Sequence, residues 1–107
     1  MDVNDAPVLD AGELLEAYRT GTLTPLQALQ GVTERIARRN PEINAFATLN
    51  SAALDAARES TARWQAGQAR ALEGVPVSVK DLIDVRGLPT RRGSKTTDPA
   101  PAAQDAP

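Results

Sequence analysis

Helix caps and helix stops follow one another at short intervals in the first part of the chain. Asp10 followed by Glu13 is the pattern of a capping box, in which each side chain bonds the backbone NH of the other residue. Gly21 follows as a stop, because glycine readily adopts the left-handed conformation that ends many helices. The pattern predicts a first helix between Asp10 and Gly21, with Leu14, Leu15 and Tyr18 on its apolar side.

A second helix is predicted to begin at Pro25. Thr24 can cap it, and Pro25 suits the first helical position because that position needs no NH donor. Gln27 can return the capping bond to the backbone of Thr24. The helix should end near Asn40-Pro41, since proline disfavours helical geometry in the residue before it. Its predicted buried face consists of Leu26, Leu29, Val32 and Ile36.

Less regular patterns follow the second helix. Residues 43–49 alternate apolar and other side chains, which favours a short strand. A third helix is predicted at about residues 52–66, with Asn50 and Ser51 as its cap. Trp64 falls on the apolar stripe of this helix, so we predict that it is a packing anchor rather than a binding-site aromatic.

After a loop over residues 67–74, the sequence GVPVSVKDLIDV begins with a predicted strand. Strand side chains alternate between two faces, so the valines would share one face, and Ser78 and Lys80 would share the other. On spacing alone, the favoured interpretation is that the strand reaches solvent at Lys80, whose ammonium is solvated or paired with Asp81 or Asp84. The alternative is a partly buried Lys80, since apolar surroundings favour the neutral amine that can take a proton from a hydroxyl.

Composition limits the available chemistry. The chain has 107 residues without cysteine or histidine, which excludes disulfides, thiolate nucleophiles, imidazole bases and the usual zinc ligand sets. None of its serines, Ser51, Ser60, Ser78 and Ser94, has the glycine-rich setting of an exposed nucleophile beside NH donors. We predict no cofactor and no metal site.

Charge limits the partners in the same way. A formal net charge of -2 with interleaved signs creates no field that would recruit nucleic acid or an anionic membrane. Arg35, Arg38 and Arg39 lie where cations favour the negative end of a helix dipole. The chain starts with acidic residues where a signal peptide carries basic ones, so we expect a cytoplasmic protein.

Two stretches resemble the amidase signature family. GVPVSVKDLIDVRGLPTRRGS, residues 74–94, is similar to the family's lysine-bearing motif, and this similarity is the more specific one. LLEAYRTGTLTPLQALQGVTERIARRNPEINAFATLN, residues 14–50, resembles the family's N-terminal helix pair. The resemblance extends from about Leu9 to Asp105.

The resemblance implies a fold and an activity. The implied fold is α/β, as the N-terminal part of an α/β/α architecture that is mostly helical here, with a few short strands. The implied reaction is hydrolysis of a small-molecule carboxamide by a Ser, cis-Ser, Lys triad in which Lys80 is the base. Asp81 matches the family's adjacent acid, to which we assign a local structural role, and Ser94 matches a further family serine. No nucleic acid or membrane partner is implied.

In the family, both triad serines lie in a downstream Gly-Ser-rich loop that this chain lacks. We therefore expect one incomplete domain over residues 1–107, disordered over residues 96–107 and inactive alone. One alternative is a fragment of the A subunit of a glutamine-dependent tRNA amidotransferase. Those subunits resemble Lys-Asp-Asn where this chain has Lys80-Asp81-Leu82, which favours a stand-alone amidase. Another alternative is a non-catalytic helical interaction remnant.

Overall fold

The regular secondary structure of the chain is helical. The computed structural model describes the backbone of residues 3–107 and the side chains of residues 5–107. Met1 and Asp2, with which the acidic start of the chain begins, lie outside the described residues. A 3-10 helix, Val3–Val8, precedes α1 (Ala11–Thr20), α2 (Pro25–Ile43) and α3 (Ala53–Gln65). The mostly helical character expected of the chain is confirmed.

The chain divides into two compact units. Unit 1 comprises residues 1–43 and 51–76, and unit 2 comprises residues 44–50 and 77–107. All helices of the described residues belong to unit 1. The expectation of a single incomplete domain stays a prediction. No helix within residues 3–107 has the length and apolar character needed to cross a membrane.

Both predicted boundaries of α1 are confirmed. The Glu13 NH donates to Asp10 Oδ1 at 2.8 Å, and the Asp10 NH donates to Glu13 Oε1 at 3.1 Å. Gly21 follows the helix with a φ of 77°, and its NH donates to the Tyr18 carbonyl. These contacts are local in sequence, which explains why the pattern alone predicts them.

The start of α2 is confirmed, but its predicted end is wrong. The Gln27 NH donates to Thr24 Oγ1 at 3.2 Å, and the Thr24 NH donates to Gln27 Oε1 at 3.0 Å. The helix continues through Pro41 to Ile43. Pro41 lies in the last turn, where its missing NH removes a single intrahelical bond. The helix then stops before Asn44, whose positive φ of 48° cannot continue it.

The predicted buried face of α2 is displaced by one position. The large apolar side chains of the predicted face are only half-buried, and the buried positions carry small side chains or proline. Small residues let a helix approach its neighbours closely, and α2 contacts both the 3-10 helix and α3. The buried residues of α2 are Pro25, Ala28 and Gly31. The apolar core of unit 1 consists of Ala6, Leu14, Ala17, Tyr18, Leu23 and Ala28.

The third helix confirms the packing prediction for Trp64 but not the predicted cap. Its N-cap is Ala52, which makes no side-chain capping bond, because the helix begins beyond Asn50 and Ser51. Trp64 packs against the core of unit 1, with its ring centroid 5.9 Å from that of Tyr18. The Trp64 Nε1–H donates to the Glu73 carbonyl at 3.0 Å, so the indole has both an apolar and a polar partner.

The two predicted strands are absent from the described part of the chain. Residues 43–49 and 75–80 contain no strand, and the isolated bridge in the described structure joins Arg86 and Ala102 in parallel. A strand is defined by bonds to a partner backbone, and neither segment has such a ladder here. The finer α/β expectation therefore rests on the family resemblance.

The end of the chain bonds to a turn of unit 2. The Gly87 NH donates to the Ala102 carbonyl at 2.9 Å, and the Ala102 NH donates to the Leu88 carbonyl at 2.9 Å. The Arg86 NH donates to Asp105 Oδ1 at 2.8 Å. The disorder expected for residues 96–107 stays a prediction.

Candidate active site around Lys80

Lys80 begins a tight turn in unit 2. The Ile83 NH donates to the Lys80 carbonyl at 3.1 Å, which closes the turn. The Lys80 side chain is exposed, and no described carboxylate lies within 4.0 Å of its ammonium. The structure therefore places Lys80 in solvent, without the ion pair to Asp81 or Asp84 that the sequence allows.

Asp81 binds a loop ten residues further along the chain. The Arg91 NH donates to Asp81 Oδ1 at 2.8 Å, and the Gly93 NH donates to Asp81 Oδ2 at 3.4 Å. The Arg92 NH donates to the Asp81 carbonyl at 3.0 Å. Three consecutive NH groups thus converge on one residue, an arrangement that we call the Asp81 clamp.

The loop of the Asp81 clamp contains two consecutive residues with positive φ. Arg92 and Gly93 have φ of 54° and 70°. The pKa of Asp81 lies below its usual value, and the Arg91 NH is the largest cause. Desolvation is the next largest effect and opposes it, and the Gly93 and Arg92 NH groups lower the pKa further. A carboxylate whose ionised form is favoured by backbone NH groups is suited to the local structural role assigned to Asp81.

The apolar side chains around Lys80 are exposed with it. Val77 is 83% exposed, Val79 is 49%, Leu82 is 53% and Ile83 is 50%. A lysine base requires desolvation to favour its neutral form, and the described residues do not supply it. They form an exposed apolar border beside Lys80.

The serines do not approach Lys80 in this structure. No hydrogen bond of the described residues joins any of them to its ammonium. Ser78 is exposed, and Ser94 Oγ shares a hydrogen bond of 2.7 Å with Thr96 Oγ1. Ser60 is buried in unit 1, where its hydroxyl donates to Glu73 Oε2 at 2.6 Å. The structure therefore brings none of the candidate hydroxyls to the candidate base.

Sequence reasoning missed Glu73, a buried carboxylate of unit 1. Its side chain is 1% exposed, and Arg70 donates to it through Nε at 3.0 Å and Nη2 at 3.1 Å. Arg63 Nε lies 3.7 Å from Glu73 Oε1. The Arg70 guanidinium and then the Ser60 hydroxyl lower the pKa of Glu73 to about 2. Its loop position offers no periodic signal, and only the spacing from Arg70 could have indicated the pair.

Metal ligands are scarce in the part of the chain that the structure describes. No group of three or more histidine, cysteine, aspartate or glutamate side chains there could hold a metal ion. The site offers an exposed amine, a clamped carboxylate and an apolar border.

The comparison with protein families identifies the chain. A model of the Amidase family matches residues 27–107, more than half of the sequence. The chain belongs to the amidase family. The matched region contains Lys80, Asp81 and the loop that Asp81 binds. The resemblance of the lysine motif is thereby confirmed at the level of the family.

Curated relatives include amidotransferase subunits and amidases. The A subunit of the Glutamyl-tRNA(Gln) amidotransferase of Azoarcus sp. (strain BH72) is 42% identical over 84 residues, covering 78% of this chain and 17% of the relative. Its counterpart in Renibacterium salmoninarum is 42% identical over 89 residues, covering 81% and 17%. A protein named as amidase AmiC in Mycobacterium tuberculosis (strain ATCC 25618 / H37Rv) is 35% identical over 98 residues, covering 92% and 20%. The chain thus spans 17–20% of the length of these amidase-family relatives. No solved structure matches it significantly.

Proposed function

We propose that this chain carries the base of an amide hydrolase, and that Lys80 is this base. The observation that carries the proposal is the amidase-family match over residues 27–107, which includes the Lys80-Asp81 motif. Asp81 supports it further, because this residue ties the turn that follows Lys80 to a second segment of the matched region.

The reaction that follows from a Ser, cis-Ser, Lys triad is acyl transfer through serine. The neutral amine of Lys80 takes the proton of the bridging serine, which takes the proton of the nucleophilic serine. The nucleophile attacks the carboxamide carbon, and the proton held by Lys80 returns through the bridging serine to the amide nitrogen as the C–N bond breaks and neutral amine or ammonia leaves. Water then gives a proton to the same relay and attacks the acyl-serine ester, which releases the carboxylic acid and returns the proton to the serine. Both serines belong to polypeptide outside this sequence in the proposal, so the chain alone is inactive.

The same proposal assigns a role to the exposed apolar residues. Val79, Leu82 and Ile83 are exposed in this structure. In the proposed α/β/α fold, residues 75–80 form a strand of the sheet, and neighbouring elements cover these three side chains. Covering them removes water from Lys80, which favours the neutral amine that the reaction needs. The proposed substrate is a small-molecule amide.

A second candidate is the A subunit of a tRNA amidotransferase. The amidotransferase relatives named above reach 42% identity, against 35% for the amidase AmiC over a longer stretch. Leu82 favours the stand-alone amidase, because those subunits resemble Lys-Asp-Asn at this motif. An assay of ammonia release from different substrates separates the two candidates. An amidase releases ammonia from simple amides, whereas the amidotransferase chain prefers glutamine in the presence of its partner subunits.

The decisive experiment compares the two lysines of the chain. The amidase polypeptide encoded by the complete reading frame is assayed for amide hydrolysis with Lys80→Ala and, as the matched control, Lys95→Ala. Removing a general base costs roughly 10²- to 10⁴-fold in turnover, and the control should stay within about twofold of the parent. Full activity of the Lys80→Ala enzyme contradicts the proposal, as does turnover by the isolated 107-residue chain. A complete reading frame that encodes no Gly-Ser-rich loop favours the non-catalytic remnant.

A further inference from the structure

We propose that Asp81 is a positioning residue for Lys80, holding the turn that Lys80 begins through its bonds to the backbone of residues 91–93. The inference rests on the proposed role of Lys80 as the base. Asp81 itself touches no substrate in this proposal and acts through the backbone.

The geometry ties two segments together at one point. Asp81 uses both carboxylate oxygens and its carbonyl to bind Arg91, Arg92 and Gly93. The preceding residue, Lys80, accepts the Ile83 NH through its own carbonyl, so the clamp lies inside the turn that this bond closes. Movement of Asp81 would therefore move the Cα of Lys80, from which the amine extends.

The alternatives for this role within the turn are weaker. Asp84 accepts one bond through its exposed carboxylate, from Thr90 Oγ1 at 2.6 Å, and one through its carbonyl, from the Ala106 NH at 2.9 Å. The side chains of Leu82 and Ile83 are apolar and exposed. Among residues 80–84, Asp81 alone receives bonds from three backbone NH groups, and it therefore has the greatest hold on the turn.

A precise lysine position matters because the amine sits at the end of four methylene groups. The reaction requires its nitrogen within hydrogen-bond reach of a hydroxyl, and small displacements of a catalytic group cost large factors in rate. If the backbone of Lys80 is fixed, only its side-chain torsions remain free, and the surrounding protein needs to restrict only these. Breaking the clamp would therefore lower kcat and leave substrate binding unchanged.

The first test measures amide hydrogen exchange by NMR on the 107-residue chain. Asp81→Asn is nearly isosteric, but its NH₂ group cannot accept from the Gly93 NH. Asp84→Asn removes the same charge nearby, keeps an oxygen that can accept from Thr90 Oγ1, and serves as the control. We expect Asp81→Asn to accelerate exchange at Arg91, Gly93 and also Ile83, whereas the control leaves all three unchanged. If Asp81→Asn accelerates exchange only at residues 91–93 and leaves exchange at Ile83 unchanged, the positioning role is wrong.

A second variant perturbs the clamp from the loop side. Gly93 has a φ of 70°, which strains any residue with a Cβ, and Gly93→Ala leaves every charge in place. It should accelerate exchange at Ile83 as Asp81→Asn does. Fast exchange of Ile83 in the parent chain, with no change in either variant, contradicts the inference as well.

The last test is kinetic and uses the amidase that contains this chain. Asp81→Asn should lower kcat by about 10- to 100-fold with KM within about twofold, and Asp84→Asn should match the parent. If Asp81→Asn matches the parent while Lys80→Ala is inactive, the positioning role is wrong and the proposed function stands. If Lys80→Ala is fully active, both fall.

Discussion

Different interactions maintain the structure within each of the two units of this chain. Unit 1 buries apolar side chains between its helices. It also buries the carboxylate of Glu73, which is bonded by the Ser60 hydroxyl and the Arg70 guanidinium. Unit 2 contains no helix or strand and leaves most of its large apolar side chains exposed, whereas Val85 and Leu88 are half-buried. Its order comes from backbone NH groups bound to the carboxylates of Asp81 and Asp105. Side-chain packing thus defines unit 1, whereas the candidate site lies in a unit defined by polar backbone contacts.

Spectroscopy can follow the two units separately. Trp64 and Tyr18 are the single tryptophan and tyrosine of the sequence, and both belong to unit 1. Unit 2 holds the single phenylalanine, Phe46. Tryptophan fluorescence therefore reports unfolding of unit 1, and amide exchange at Gly93 reports the clamp in unit 2. A difference in stability between the units is directly measurable.

The largest expected effect on unit 1 comes from Gly74→Ala. Gly74 has a φ of 82°, and an added Cβ would lie 2.5 Å from Pro25 Cγ and 2.7 Å from Pro25 Cβ. Pro25 is fully buried and cannot move aside, so we expect a loss of about 3 kcal/mol in urea unfolding followed by Trp64 fluorescence.

Gly67→Ala is the matched control for that substitution. Gly67 also has a positive φ, 71°, but no atom lies within 4 Å of an added Cβ, so the cost should be about 1 kcal/mol. Equal losses in the two variants would show that backbone strain, and not close packing against Pro25, sets the conformation in unit 1. Exchange at Gly93 should be the same in both variants.

The next largest effect is expected from Glu73→Gln. The glutamine keeps the shape of the side chain but loses the charge that Arg70 and Ser60 bond, and it leaves buried polar groups imperfectly paired. We expect a loss of about 2 kcal/mol in the unfolding of unit 1. Glu34→Gln, at an exposed position of α2, removes the same charge and should change stability by less than about 0.5 kcal/mol. If both variants unfold alike, the buried cluster does not stabilise unit 1.

Acid should weaken unit 1 through the same carboxylate. The pKa of Glu73 falls from its ordinary 4.5 to about 2 in the folded chain, with Arg70 as the first cause. A depressed folded pKa gives stability that is present above about 4.5 and is lost as the pH falls toward about 2. The urea midpoint of the parent chain should therefore fall across this window, and the Glu73→Gln variant should show a shallower fall. Parallel pH profiles would contradict the assigned ion pair.

Local contacts were predictable from the sequence, and contacts between distant segments were not. The caps of α1 and α2 join residues that are three apart in the sequence. The pairs Asp10 with Glu13 and Thr24 with Gln27 can therefore be predicted from the spacing of their residue types. The bond between Ser60 and Glu73 and the Asp81 clamp join residues at least ten apart, and in each case a partner lies in a loop, where no period indicates it. Their residue types alone did not predict these contacts.

The candidate site was predictable only through the family resemblance. Spacing alone favoured a strand that surfaces at Lys80, and the structure places this side chain in solvent. The predicted strands failed for a related physical reason, since strands require partner backbones that lie elsewhere in a chain. A strand can thus be proposed from residues 75–80 but cannot be formed by them alone.

Among the substitutions that remove a side-chain contact of unit 1, the smallest effect is expected from Tyr18→Phe, which removes one hydrogen bond and keeps the apolar packing. The Tyr18 hydroxyl donates to the Gly74 carbonyl at 2.9 Å, and the loss of one such bond costs about 1 kcal/mol. Burial raises the pKa of Tyr18 from 10.0 to about 12.

The raised pKa gives an independent check on the same residue. Its stabilising effect is present below about 10 and is lost as the pH rises toward about 12, because the folded state disfavours the phenolate. Tyrosinate absorbance of the parent chain should therefore titrate above the value for free tyrosine, and the alkaline loss of stability should be smaller in the Tyr18→Phe variant. Ordinary titration of Tyr18 in a folded chain would show that solvent reaches its hydroxyl. The contrast between a packed unit 1 and a polar-bonded unit 2 would then be weaker than the buried side chains indicate.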